Sequence, residues 1–495
     1  MLLSEILKNC KDDLEITNFK DIQIEGIDRN SLNIKKNYIF CAIDGSNNKG
    51  ENFIKSSIEN GAVVIISEKH QQIDNLVVIK TKENVNIKDI YGKILSQFYN
   101  NEIPEHIIGV TGTCGKTSIV EYIRQAIQYL GFNSASNGSL GIKYGDKLLE
   151  CGDSLTMRET SDMYQKFYFL KHEEKINYLS MEFTSHGLDQ DRAVGIHPEI
   201  GIFTNFSQEH LDYHPNKEHY FESKMILFKK TLKKGSTAIL NADIPEFDTI
   251  KKICEECGHN IISYWKKGDI KIIDIINDKE GQKVLFNYLG KEYILKTKLI
   301  GDFQIMNLLA SFGALISLFK EIDIQKIIDS LEKVKNAEGR MDFVCKKKNG
   351  GSIYIDYSHK PDALEKILKA IKVRMELEKK DKLILLFGCG GNRDKGKRPI
   401  MGEIANKYAD VVFITDDNPR GEVPEEIRKA IQDKCPKAYN IGDRKIAIEK
   451  AIDMLGPNDV LILAGKGHEK YILYADKKVP FDEKKIVIEY INKGI

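Results

Sequence analysis

The chain has no apolar stretch near the length of a bilayer span. Its longest apolar runs are strand-like, as at Leu383-Ile384-Leu385-Leu386-Phe387, so direct membrane insertion is not expected. Nor does one sign of charge dominate: 74 Lys and Arg face 73 Asp and Glu. No global field draws nucleic acid or an anionic surface, and any anion must be bound locally. The nine cysteines, spread from Cys10 to Cys435, lack the regular spacing of a disulfide framework. The N-terminus also lacks a basic segment followed by an apolar run. A reduced, cytoplasmic protein is expected. Cys254 and Cys257 form a CxxC, but no second pair or well-placed histidine completes a zinc set, and the pair reads as a helix end before Gly258. No internal repeat or low-complexity tract is present.

What the sequence does have is a phosphate cradle. Residues 107–118 read as a buried strand, a glycine turn and a helix start, with Gly112, Thr113, Gly115, Lys116, Thr117 and Ser118 in the turn and first helical positions. Glycines let backbone N–H groups close on an anion, and the helix presents its positive end. Lys116 can reach β/γ-phosphates and Thr117 can ligate Mg²⁺. The spacing is one residue out of step with the ordinary P-loop, because the upstream glycine falls at Gly109. On its own the segment also reads as a plain glycine turn with a chance lysine. The helix that follows, 116–130, should stop at Gly131.

At 495 residues the chain is too long for one core, and about 150 residues per domain suggests three. Residues 1–103 read as a small α/β domain. Residues 104–336 alternate strands and helices around the phosphate loop, with strands at 178–183, 200–204 and 238–241 and a helical stretch at 217–232. Residues 337–495 restart the alternation, with strands at 352–355, 383–387, 411–414 and 460–464, as a doubly wound, Rossmann-like unit. The fold class is therefore α/β, three domains, with parallel sheets flanked by helices. Ligands in such sheets bind beyond the carboxyl ends of strands, where the polar clusters lie.

Glu182 and His210 each follow a strand beside the phosphate loop and are candidate Mg²⁺ ligands, although a nitrogen is an unusual partner for so hard a cation. His210 and His214 are spaced i, i+4. Tyr213 and Pro215 argue against a helix there, and no HExxH accompanies them, which weakens a zinc-hydrolase reading. Lys224 sits among apolar neighbours at 221, 225 and 228 and reads, by itself, as a snorkelling lysine.

Taken together these motifs resemble the Mur ligases. The matching segments include 111–117, 182–192, 203–214, 220–228, 301–307, Gly339-Arg340, 356–359, 388–399, 416–420 and 464–469. The resemblance implies an ATP-dependent ligase that adds a diamino acid to the D-glutamate of UDP-N-acetylmuramoyl-L-alanyl-D-glutamate through an acyl phosphate, in peptidoglycan synthesis. It implies that Glu182, His210 and Thr117 bind magnesium. Lys224 would carry a CO₂-derived carbamate that holds a second metal ion. Asn307, Arg340, Asp356 and His359 would lie on the ATP side. Ser31, Thr156, Thr184, Ser185, Gln190 and Arg192 would contact the UDP-sugar dipeptide. The diamino acid would fall to Arg393, Asp417, Asn418, Pro419, Arg420, Gly465 and Glu469. Asp417-Asn418-Pro419-Arg420 matches the form of this loop associated with meso-diaminopimelate, since a guanidinium fork can bind the far carboxylate. Lanthionine, L-lysine, another ligase of the superfamily, a non-ligating P-loop ATPase and a cysteine-based redox protein are the alternatives. A monomer is expected.

The chain departs from the family at four places. Cys114 and Gln304 stand where asparagines are usual, Asn30-Ser31-Leu32 replaces Asp-Ser-Arg, and Thr156-Met157-Arg158 replaces Thr-Thr-Pro. The uridine and muramoyl contacts are the readings these departures touch most.

Overall fold

A computed structural model describes residues 1–45, 48–69, 71, 73, 75–149, 155–207, 209–210, 212–475 and 477–493. The chain forms two compact units. One comprises residues 1–116, 123–263 and 313–320, and the other residues 117–122, 264–312 and 321–495.

The first unit holds two sheets. In the N-terminal sheet the order is Leu14–Thr17, Val77–Thr81, Ala62–Ser67, Tyr38–Cys41, Gly26–Asp28; only the Leu14–Thr17 edge runs antiparallel. In the second sheet the strand His106–Thr111 lies between Ile200–Phe203 and Tyr178–Glu182, with Thr237–Asn241 and Ser134–Gly138 outside them, all parallel. The register pairs Glu182 with Val110 and Phe203 with Thr111. The carboxyl ends of three adjacent strands therefore finish level with the glycine turn. The helix Lys116–Tyr129 follows that turn and ends before Gly131, whose φ of +94° suits glycine.

Antiparallel additions interrupt the alternation of strands and helices. Gly141–Tyr144 and Lys147–Leu149 add an antiparallel hairpin to the sheet edge. In the second unit Ile270–Asp278, Gly281–Tyr288 and Lys291–Thr297 form an antiparallel meander. Its last turn places Leu289 and Gly290 at positive φ, the geometry that joins twisted antiparallel strands tightly. Alternating burial along these strands marks one solvated face, which parallel strands of the central type do not have.

The second unit also carries a six-stranded sheet ordered Asp342–Lys346, Ser352–Asp356, Val460–Ala464, Leu383–Phe387, Val411–Ile414, Tyr439–Asn440, parallel except for its first strand. Leu383 to Phe387 are all buried because both faces are covered: Leu383, Leu385 and Phe387 pack into one core and Ile384 and Leu386 into another. No helix among the described residues is long and apolar enough to cross a membrane.

Candidate functional site

The phosphate loop owes its shape to two glycines. Gly112 has φ +135°, and a Cβ there would meet Thr204 Oγ1 at 2.0 Å; Gly115 has φ +91° and caps the helix. Thr204 Oγ1 donates to Cys114 O at 2.6 Å and Asn205 Oδ1 accepts from Cys114 N at 2.9 Å, so the neighbouring strand end fixes the turn. Cys114 itself is exposed. Lys116 Nζ donates to Gly112 O at 2.9 Å and to Thr113 O at 3.0 Å, folding the ammonium over the loop. Thr117 and Ser118 are buried in the first turn of the helix.

Lys224 does not snorkel. It is 1% exposed, its Nζ donates to Gly112 O at 2.9 Å, and it stands 4.4 Å from the centre of the Tyr220 ring. Thr113 Oγ1 lies 3.2 Å from Tyr220 OH, and burial pushes that phenol well above its ordinary pKa. Glu182, 1% exposed, ends its strand with Oε1 accepting from Ser139 N at 2.8 Å and Oε2 3.4 Å from Ser139 Oγ. Ser139 Oγ is in turn 3.1 Å from Thr156 Oγ1. His210 lies on a turn in left-handed backbone, φ +57°, with Nε2 3.5 Å from Glu209 and its ring against His186.

This donor set can be weighed for a hard divalent cation. The Glu182 carboxylate and the Thr117 hydroxyl are oxygen donors of the kind Mg²⁺ takes, whereas an ammonium at Lys224 would repel it. In ligand chemistry the residues fit magnesium if Lys224 carries a carbamate, which replaces the ammonium by one negative charge shared over two oxygens.

His214 lies apart from any i, i+4 pairing of ring nitrogens with His210. Its Nδ1 faces His219 Nδ1 at 2.9 Å and its Nε2 faces Ser185 Oγ at 3.0 Å. Burial pushes its pKa down to about 4. Ser185 opens a short helix, Ser185–Asp189, capped by Thr184, whose Oγ1 accepts from Gly187 N at 3.0 Å. Arg192 Nη1 donates to Met157 O at 2.9 Å, its Nη2 donates to Gln190 Oε1 at 2.6 Å, and Glu159 pairs with both Arg192 and Arg29. The departing segment at 156–158 is thus part of the same cluster: Met157 is buried beneath Gly187, and Arg158 pairs with Asp162 at 3.2 Å. Ser31 is buried in the N-terminal part of the unit, its carbonyl accepting from Asn60 Nδ2 at 2.9 Å.

In the second unit, Asp356 ends the strand Ser352–Asp356 and accepts from Met341 N and Ser358 N, both at 2.7 Å; burial raises its pKa and these bonds oppose the rise. Arg340 lies over the Tyr357 ring at 4.4 Å. His359 Nδ1 is 2.9 Å from Tyr357 O. Asn307 Nδ2 donates to Gln304 Oε1 at 3.1 Å, so Gln304 holds the Asn307 amide in place.

The clusters after Ile414 and Ala464 meet at the crevice of the six-stranded sheet. Arg420 sits at φ +52° with Nη1 donating to Gly391 O at 3.0 Å. Gly465, φ +108°, has no room for a Cβ, which would lie 2.8 Å from Asp417 Oδ2. That oxygen is buried and has no hydrogen-bond partner among the described residues. Asn418 Nδ2 donates to Glu469 Oε2 at 2.9 Å, and Lys466, fully buried, donates to the same oxygen at 3.0 Å. Pro419 O lies where a Cβ on Gly391 would fall. Arg393 is exposed on the adjoining loop, its Nη1 3.5 Å from Asn392 O.

Arg444 had no signal in the sequence, and Lys466 lay within a quoted motif without being given a role. Arg444, 1% exposed, donates to Asp416 O at 3.1 Å and Ala464 O at 2.9 Å while its Nε meets Glu483 Oε1 at 2.7 Å. One buried guanidinium thus ties together the two loops that follow these strands.

Two family descriptions match the chain: Mur ligase middle domain over residues 110–315, and Mur ligase, glutamate ligase domain over residues 339–467. The UDP-N-acetylmuramoyl-L-alanyl-D-glutamate–2,6-diaminopimelate ligase of Rickettsia montanensis is 40% identical over 480 residues, 95% of this chain and 96% of that protein. The protein of the same name from Chelativorans sp. (strain BNC1) is 37% identical, covering 93% of each. Among solved structures, a UDP-N-acetylmuramoyl-L-alanyl-D-glutamate–2,6-diaminopimelate ligase aligns over 100% of this chain and 99% of its own, at 28% identity and a TM-score of 0.69. Mycobacterium tuberculosis folylpolyglutamate synthase complexed with ADP shares the fold at 13% identity, with a TM-score of 0.64 over 77% of this chain and 92% of its own.

Proposed function

The chain belongs to the Mur ligase family, and from that premise we propose that it is the ATP-dependent ligase that joins meso-diaminopimelate to the D-glutamate of UDP-N-acetylmuramoyl-L-alanyl-D-glutamate in peptidoglycan synthesis. The observation that carries the reaction type is the convergence of Lys116 and Lys224 on Gly112 O beside Glu182, at the carboxyl ends of adjacent parallel strands. Amide formation by phosphate transfer needs a γ-phosphate and a carboxylate brought together, and a lysine folded over a glycine turn offsets that repulsion.

In this reading the three stretches 1–103, 104–336 and 337–495 bind the UDP-sugar, ATP and the amino acid. Gly112 to Ser118 hold the triphosphate, with Asn307, Arg340, Asp356 and His359 on the nucleotide side. Glu182, His210, Thr117 and Lys224, if carbamylated, would hold magnesium, which would neutralise phosphate charge. Lys116 stabilises the phosphoryl group as it moves to the D-glutamate carboxylate. Gln190, Arg192, Thr184, Ser185, Thr156 and Ser31 orient the acceptor. The amine of the diamino acid then attacks the acyl phosphate, and phosphate leaves. Arg420, Asp417, Asn418, Pro419, Gly465, Glu469 and Arg393 select the diamino acid; Glu469 is already engaged by Lys466 and Asn418, so it presents a partly neutralised carboxylate to a distal ammonium. The enzyme works as a cytoplasmic monomer.

The test is phosphate release with Mg-ATP and the UDP-dipeptide, with mass detection of product, comparing meso-diaminopimelate, lanthionine, L-lysine and no amino acid. Release with an adduct for diaminopimelate supports the reading. Turnover with L-lysine alone overturns the selectivity, and no release with any of them overturns the ligase.

A further inference from the structure

Beyond the residues with an expected role, His214, His219 and Asp189 form a buried-to-surface chain ending on Ser185. Ser185 Oγ lies 3.0 Å from His214 Nε2, His214 Nδ1 lies 2.9 Å from His219 Nδ1, and His219 Nε2 lies 3.6 Å from Asp189 Oδ1. Tyr213 OH donates to Asp189 Oδ2 at 2.7 Å, and Gln190 Nε2 donates to Tyr213 OH at 3.2 Å. Asp189, His214 and His219 each place one possible ligand atom within 4.8 Å of the others, but the two imidazole nitrogens stand 2.9 Å apart, the distance of a ring-to-ring hydrogen bond, and the cluster is read here as a relay.

We propose that His214 is a positioning residue that fixes Ser185 as a hydrogen-bond acceptor toward the substrate, with the direction of the relay set by Asp189. A carboxylate offers only acceptors, and a neutral imidazole has one donor and one acceptor. At 3.6 Å Asp189, whose Oδ1 accepts from Ser223 Oγ at 3.3 Å, acts on His219 Nε2 through its charge rather than a hydrogen bond, and a negative charge there favours the proton on Nε2, leaving Nδ1 as a lone pair. Two lone pairs cannot face each other at 2.9 Å, so His214 carries its proton on Nδ1. Its Nε2 is then the acceptor, and the Ser185 hydroxyl must donate to it. The single proton of Ser185 is committed, and its oxygen shows the substrate only lone pairs. Thr184 has the opposite polarity: its oxygen accepts from Gly187 N at 3.0 Å and its proton is left to donate. Adjacent hydroxyls of opposite sense read a donor beside an acceptor. On the function proposed above, the donor facing Ser185 is the amide N–H between L-alanine and D-glutamate.

Two experiments test this. In protein labelled with ¹⁵N-histidine at pH 8, above the ordinary imidazole pKa of about 6.5, His214 is expected as the Nδ1–H tautomer; the Nε2–H tautomer overturns the relay, and this readout needs no turnover. A UDP-sugar acceptor with an ester oxygen in place of that amide N–H is expected to lose about tenfold in kcat/KM with the native protein, as for one lost hydrogen bond. Ser185→Ala should lower kcat/KM for the amide and discriminate amide from ester less than threefold. Undiminished discrimination by Ser185→Ala overturns the assignment, whereas native protein inert toward the amide itself would count against the ligase reading instead.

Discussion

The ammonium groups of Lys116 and Lys224 converge on one carbonyl oxygen, Gly112 O, each 2.9 Å away, and so lie no more than about 5.8 Å apart. Two like charges at that distance repel by roughly 3 kcal/mol at an effective dielectric of about 20. Carbamylation of Lys224, as proposed, would turn the repulsion into attraction and supply oxygen donors. Lys224→Ala is expected to lower kcat by at least about a hundredfold, as for loss of a charge at the transferring group. Short-chain carboxylic acids should restore part of it, and ¹³CO₂ should give a lysine carbamate signal in the native protein. Absence of both rescue and signal would sink the carbamate.

In the proposed reading, amino-acid selection turns on Arg420. Alanine at this left-handed position meets the same backbone cost as arginine, so the change removes the guanidinium without new strain. Arg420→Ala should lower kcat/KM for diaminopimelate by about a hundredfold or more, the usual size for one partner of a desolvated charge pair, and leave the KM for ATP within about threefold. Equal losses for both substrates would contradict the assignment.

The Arg444 and Glu483 pair is buried on both sides, at 0% and 1% side-chain exposure. Arg444→Ala leaves Glu483 uncompensated and frees the carbonyls of Asp416 and Ala464. A loss of about 3–5 kcal/mol is expected, read as a lowered denaturation midpoint at unchanged slope. A change below about 1 kcal/mol would mean that the pair contributes little beyond its own burial.

Cys114 is the exposed cysteine among those described, the others being buried or half-buried. Alkylation at Cys114 should abolish phosphate release, and Mg-ATP should protect, with peptide mapping to locate the adduct. Alkylation that leaves turnover intact would place the triphosphate elsewhere.

Burial holds the His214 pKa at about 4, below the ordinary imidazole value of about 6.5. The unfolded chain therefore binds more protons between those values, and stability should fall as pH drops from about 6.5 toward 4. His214→Gln should flatten that part of the stability profile; an unchanged slope would assign it to other groups.

The phosphate loop was legible because its signal is local: two glycines, a lysine and a threonine within six positions fold as their sequence demands. The strand ends carrying Glu182, Asp356 and Asp417 were legible for a related reason, since apolar runs such as residues 383–387 announce buried parallel strands and the polar residues after them must lie at the crevice. The partners of His214 were not. Its i, i+4 spacing to His210 is the visible pattern, but it holds only for the backbone, where His214 N donates to His210 O at 2.8 Å, while the ring nitrogens meet Ser185, 29 positions away, and His219. Arg444 was illegible too, because nothing near it in sequence distinguishes a buried clamp from a surface arginine on a helix. The meander at residues 270–297 was passed over because the strands on either side of it read as continuing the parallel alternation.

The proposed reaction proceeds by ATP activating the D-glutamate carboxylate as an acyl phosphate. It is tested most directly with UDP-dipeptide carrying ¹⁸O in that carboxylate, Mg-ATP and meso-diaminopimelate, followed by mass analysis of the released phosphate. One ¹⁸O per phosphate, matched by one tripeptide adduct, is the predicted result. Unlabelled phosphate, or label appearing in AMP, would contradict it.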